Sequence, residues 1–284
     1  MKCKQAIEKF EGDLAKAKKF LFENNLATAE KKSDRETKCG MLVYSLEPSS
    51  YIGFAEITCE TDVVLKNENF LDFGEKIARE LANFSVSTNM DKVQVETHFR
   101  EHNNELWNDN QQLIAKIQEN IRVSSISVDR LPENSQKVFG AYMHTSYREN
   151  LGKSLTYVVL SFSKDGPLLP KEQNILNNVA EEIAVHVFCK QPEYINKNEL
   201  PEGELNQILQ SIQDSMDEKI RSKPVEILEK IAAGKLSKVL DQRLLMTQLL
   251  GDSEDGINVE DFLSQISSNL GFSVFVERFK TVTI

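Results

Sequence analysis

The chain has 284 residues, 40% apolar and 27% charged, which allows one large or two modest domains with a substantial core. Its formal charge of -10 argues against nucleic acid as the main partner, because phosphate binding needs a concentrated basic surface. No apolar run approaches the roughly 20 residues of a membrane span, and the N-terminus mixes Lys with Glu and Asp, unlike a targeting peptide. Cys3, Cys39, Cys59 and Cys189 are scattered without a C-x-x-C pair, which fits free thiols in a reducing compartment and makes the cytoplasm the expected location.

Residues 4–26 read as two short helices. Cys3, Ile7 and Phe10 form one stripe, Gly12 interrupts it, Asp13 can cap the second helix, and Leu14, Ala17, Phe20 and Leu21 form the second stripe. Residues 25–38 are a charged stretch expected to be a solvated linker. A strand over 39–46, a turn at Pro48-Ser49-Ser50 and a strand from Tyr51 read as a hairpin. In the second strand Gly53, Ala55, Ile57 and Cys59 share one face, and Ile52, Phe54, Glu56 and Thr58 share the other. The alternation stops at Glu60-Thr61-Asp62, and the bulky Val63, Val64 and Leu65 come next. Phe70, Phe73, Ile77, Leu81 and Phe84 then mark a helix. An acid beside apolar side chains on a turn calls for something that covers them. The sequence leaves Asp62 a plainer role too, as a cap for the helix beginning near Asn67.

Residues 85–110 are polar and contain His98, Glu101 and His102 in an H-x-x-E-H pattern. On a helix the two histidines share a face and Glu101 is placed as a base, so a metal-dependent hydrolase is one reading; it lacks a third ligand. Leu113, Ile114, Ile117 and Ile121 continue a helical stripe, and strands are expected over 123–128, 138–144 and 155–162. A helix over 174–190 places His186 among apolar neighbours, where a satisfied core histidine is expected. His144, at a strand end, is read equally as a buried, hydrogen-bonded group or as a surface one. Seams at Leu205, Ile208, Leu209, Ile212, Met216 and Ile220 and at Ile227, Leu228, Ile231 and Leu236, joined through Pro224, predict an antiparallel helical hairpin. A helix over 259–270 and a strand over 272–279 complete the chain. No Walker loop, G-x-S-x-G or dinucleotide fingerprint is present, so no enzyme activity is expected.

Residues 57–70 resemble the signature of the translation elongation factor Ts family, roughly N-C-Q/E-T-D-F-V-A-K/R-N before a Phe-anchored helix. Further family motifs occur in the family's order. Cys3, Lys4, Ala6, Ile7, Gly12 and Asp13 match C-K-x-A-L…G-D, and residues 117–121 match I-G-E-N-I with Gln118 in place of Gly. Gly140, Tyr142 and His144 match G-x-Y-x-H-G with Thr145 in place of the last Gly. His186, Val187 and Pro192 match H-V-A-x-x-x-P, and residues 226–236 match E-I-x-E-K-I-x-x-G-K-L. The family's first helix has no counterpart, so either the N-terminal module is truncated or the chain starts at an internal Met.

The resemblance implies guanine-nucleotide exchange on the GTPase elongation factor Tu, with no cofactor, no metal, and neither nucleic acid nor membrane as partner. A homodimer is compatible with it. It implies that Thr61, Asp62, Val63 and Val64 form the turn that disturbs the GTPase's Mg²⁺ site, with Val63 where the family has Phe. Further contacts are implied at Met1, Cys3, Lys4 and His144. An exchange-inactive binding relative is the other outcome. A bacterial cytoplasm is implied, with an organelle matrix as the alternative.

The expected fold is α+β: a short UBA-like helical fragment, a core of two small antiparallel sheets with flanking helices, and an inserted antiparallel helical hairpin. The expected divisions are 1–30 for the helical module, 36–122 for the first half of the core with a polar insertion at 85–110, 123–198 plus 240–284 for the second half, and 201–239 for the hairpin.

Overall fold

The computed structural model describes residues 2–85, 97, 99, 101, 103–216, 224–251 and 256–284. Among them are eight α-helices and two small sheets, an α+β architecture. The chain forms two compact units. The first comprises Met1–Glu133, Met143–Leu155 and Val282–Ile284, and the second Asn134–Tyr142 and Thr156–Thr281.

The first unit opens with α1 (Lys2–Lys9) and α2 (Leu14–Glu30). Gly12 turns the chain at φ 89°. Asp13 then caps α2, its Oδ1 accepting the Ala15 and Lys16 amides at 3.1 and 3.0 Å, as its sequence position predicts. These bonds, the Lys16 amide first, hold the Asp13 carboxyl below its ordinary range. α2 runs four residues past Leu26, so part of the expected linker is helix. The segment after α2 is fastened through its backbone: the buried Asn120 donates from Nδ2 to the Ser33 and Arg35 carbonyls at 3.2 and 2.7 Å.

β1 (Cys39–Glu47) and β2 (Tyr51–Cys59) form the predicted hairpin, with Cys39 opposite Cys59 and Glu47 opposite Tyr51. β3 (Ile121–Arg130) pairs with β2, and β5 (Leu151–Gly152) with β1, giving the order β3-β2-β1-β5. The division expected at 122/123 therefore falls inside β3. α3 (Glu68–Ser85) buries Phe70, Phe73, Ile77 and Leu81 in one cluster with Met41, Val43, Ala55 and Ile57. α4 (Asn104–Ile117) adds Leu106, Leu113 and Ile114. Each large apolar side chain buried this way contributes about 1.5–3 kcal/mol before entropy.

In the second unit β4 (Lys137–His144), β6 (Ser154–Phe162) and β7 (Val274–Thr283) pair in the order β4-β6-β7. α5 (Pro170–Lys190) lays Leu176, Val179, Ala180 and Ile183 in one cluster with Val138, Val158 and Leu160. Gly140 is required by this packing, since a Cβ there would lie 2.3 Å from the Ala180 carbonyl carbon. His186 is buried and its Nε2 lies 3.0 Å from Gln248 Oε1. Gln248 donates from its own Nε2 to the Gln242 carbonyl at 2.8 Å, which orients its amide and makes His186 Nε2–H the donor. This is the satisfied core histidine expected from sequence. α6 (Glu204–Asp214) packs on α7 (Val225–Arg243) where the hairpin is predicted, and α8 (Val259–Leu270) completes the helices.

Candidate partner-binding site

β2 delivers the chain to the turn at residues 60–67. Cys59 faces the core with Ala55 and Ile57 and is fully buried. Its Sγ–H donates to the Thr61 carbonyl at 3.2 Å, and burial above all pushes the thiol up to about 12, with Glu119, Cys39 and Asp62 adding to it. Thr61 is extended (φ -129°, ψ 156°), and Asp62–Lys66 then form a short 3₁₀ helix. The three bulky residues divide sharply. Val64 and Leu65 are each 4% exposed and join the core, whereas Val63 is 75% exposed. Val64 therefore anchors the turn from beneath rather than sharing an outer face with Asp62 and Val63.

Asp62 is exposed, and its side chain accepts no hydrogen bond among the described residues. The capping role that the sequence left open to it belongs to Asn67, whose Oδ1 accepts the Asn69 amide at 3.0 Å. The Asp62 charge nevertheless reaches the interior, as one of the lesser causes that raise Tyr147 after burial.

Two motifs recognised separately in the sequence meet here. Glu119 Oε2 accepts the Thr61 amide at 2.9 Å, and its Oε1 accepts the Thr61 hydroxyl at 2.7 Å. In return Glu60 Oε1 accepts the Asn120 amide at 2.6 Å and lies 3.5 Å from Arg35. Each acid thus holds the residue beside the other acid, a reciprocal clasp between the end of β2 and the segment entering β3. Hydrogen bonds to charged groups contribute about 1.5–3 kcal/mol, less where water competes as it does here. Sequence reasoning missed Glu119, Glu60 and Asn120, although all three sit inside motifs it had noted.

The other expected contacts are spread over the first unit. Cys3 and Lys4 are exposed on α1, and Cys3 lines an open groove of about 660 Å³ with residues of α2, α3 and α4. Met1 lies outside the described residues. His144 ends β4 exposed, and its carbonyl accepts the Lys153 amide at 3.1 Å. Thr145 comes next at φ 52°. Arg148, in the same connection, reaches Glu68, Asp72 and Glu75 of α3 at 2.5, 2.9 and 2.8 Å, and these acids raise its pKa. Of the metal-ligand pattern, His98 and His102 lie outside the described residues and Glu101 is exposed.

The family model described as elongation factor TS matches residues 60–283, from the acid that opens the turn to the last strand. The chain belongs to the elongation factor Ts family. It is 31% identical over 279 residues to the elongation factor Ts of Protochlamydia amoebophila, covering 98% of this chain and 90% of that protein. It is 30% identical over 282 residues to the elongation factor Ts of Borreliella burgdorferi, covering 99% and 92%. Against the elongation factor Ts of a Nostoc species it is 29% identical over 280 residues, covering 98% and 85%. As a member of the elongation factor Ts family the chain is a translation factor whose activity is nucleotide exchange. Among the described residues no helix is long and apolar enough to cross a membrane.

Proposed function

We propose that this chain exchanges guanine nucleotide on elongation factor Tu by pressing Asp62 and Val63 against the GTPase's nucleotide site. The observation that carries this reading is the turn itself. Val63 stands 75% exposed between a clasped Thr61 and a buried Val64, and beside it is a carboxylate free to meet a partner's donors. A GTPase holds GDP with a Mg²⁺ ion whose octahedral ligation tolerates little displacement. A factor that binds the nucleotide-free state better than the GDP-bound state drives release by that difference alone. No bond is made or broken, so the chain needs no catalytic residue and no cofactor of its own. Cys3, Lys4 and His144 supply further contacts in this reading. The bacterial cytoplasm is the compartment it fits.

The test is release of a fluorescent GDP analogue from elongation factor Tu of the same source. Acceleration that rises with the concentration of this protein supports the proposal, and loss of acceleration in Asp62→Ala supports its placement on the turn. Binding without acceleration would mark an exchange-inactive relative. No finding favours the metal-hydrolase reading.

A further inference from the structure

We propose that Glu119 is a positioning residue for nucleotide exchange, setting the direction in which Asp62 and Val63 are presented; this rests on the exchange reading above. The turn is held downstream by its own burial, through Val64 and Leu65. Upstream the last buried residue is Cys59, two positions before Thr61, and its thiol, a weak donor, reaches only the Thr61 carbonyl, at 3.2 Å. Thr61 is exposed, and rotation about its backbone would swing Asp62 and Val63 together. Glu119 supplies the stronger hold, a charged carboxylate accepting both the amide and the hydroxyl of Thr61, which restrains the backbone and the side-chain rotamer at once.

The carboxylate is itself held in place by its neighbours. Asn120, the next residue, is 2% exposed, bonded through its amide to Glu60 and through its side chain to two carbonyls of the segment before β1. On the other side Gln118 closes α4 in a left-handed conformation, and its carbonyl accepts the Nζ of the buried Lys32 at 2.7 Å. Glu119 thus projects from a segment pinned on both sides, and it spends both oxygens on one residue of the turn. A purely structural tie between the two segments is already supplied by Glu60 and Asn120. The second arm acts on the residue that precedes Asp62.

The test uses the full-length chain and elongation factor Tu, following the maximal rate of GDP release separately from the half-saturating concentration. Glu119→Ala is expected to lower the maximal rate about tenfold while half-saturation moves less than about twofold, because contacts elsewhere still hold the partner. Glu119→Gln, which keeps one acceptor, should recover part of the loss. Thr61→Val, which deletes only the hydroxyl arm, should cost about threefold, and the double variant should be no slower than Glu119→Ala alone. Melting temperature is measured on each variant. A maximal rate in Glu119→Ala within about twofold of the unaltered protein would overturn the proposal, as would a loss confined to half-saturation. Should Glu119→Ala fail to fold, a Thr61→Val variant with unchanged exchange would overturn it instead. If the unaltered protein does not accelerate release, the exchange reading itself fails, a result distinct from any of these.

Discussion

At residue 145 a threonine occupies left-handed backbone, φ 52°, a region that costs an L-residue about 1–2 kcal/mol and a β-branched one most. Gln118 does the same at φ 69°, as the residue that ends α4. Both are positions where the family pattern has glycine. In both, the backbone lies in the region that glycine enters most easily, and a larger side chain occupies it. Thr145→Gly and Gln118→Gly are each expected to stabilise the chain by about 0.5–1 kcal/mol, after allowing for glycine's greater freedom when unfolded, and a urea midpoint measures it. A shift to lower urea in both would show that the strain is absent. Val63 is the third departure from the motif, and on the proposed reading its effect falls on exchange. Val63→Phe is expected to speed exchange about fivefold, roughly 1 kcal/mol, with stability unchanged within about 0.5 kcal/mol because the site is exposed. The motif itself was plain in the sequence. That Val64 turns inward and Val63 outward was not, since three adjacent apolar residues carry no period from which to choose a face.

Between elements the decisive contacts are close approaches and buried polar pairs. Gly140 lets β4 meet the backbone of α5, and Gly140→Ala should destabilise the chain by about 3 kcal/mol, read as a lower denaturation midpoint. An alanine tolerated without loss would mean that α5 can lift away. His186 ties α5 to the loop after α7. Burial, more than anything else, holds its pKa below the ordinary 6.5, so the folded state stays neutral there while the unfolded chain takes up a proton. Stability therefore falls as pH drops below about 6.5 and is fully retained above it. The midpoint at pH 5.5 should lie below that at pH 7.5, and His186→Gln should flatten the difference. Helical stripes and the β1–β2 hairpin were legible because periodicity reports which face is buried. The Glu119–Thr61 bonds were not, because a hydrogen bond between segments so far apart in sequence leaves no periodic trace in either. The fastening of residues 32–35 was hidden for the same reason: backbone carbonyls do the accepting, and a charged stretch looks solvated whatever its main chain does.

For the molecule as a whole, length, charge and the alternation of strands and helices were enough to indicate an α+β protein, and the family motifs supplied its role in translation and its partner. How the strands are shared out was beyond them. β3 joins β2 in one sheet, whereas the division read from the sequence at 122/123 cuts through β3. The first unit is also assembled from three separate stretches of chain, and its last, Val282–Ile284, includes a side chain that lies directly over Gly40 of β1. Biogenesis is affected by this arrangement. A ribosome finishes β1 and β2 early but must add more than two hundred further residues before Ile284 appears, on the order of ten seconds or longer at about 5–20 residues per second. Until then the hairpin that leads into the turn at residues 60–67 waits with its first strand uncovered at Gly40.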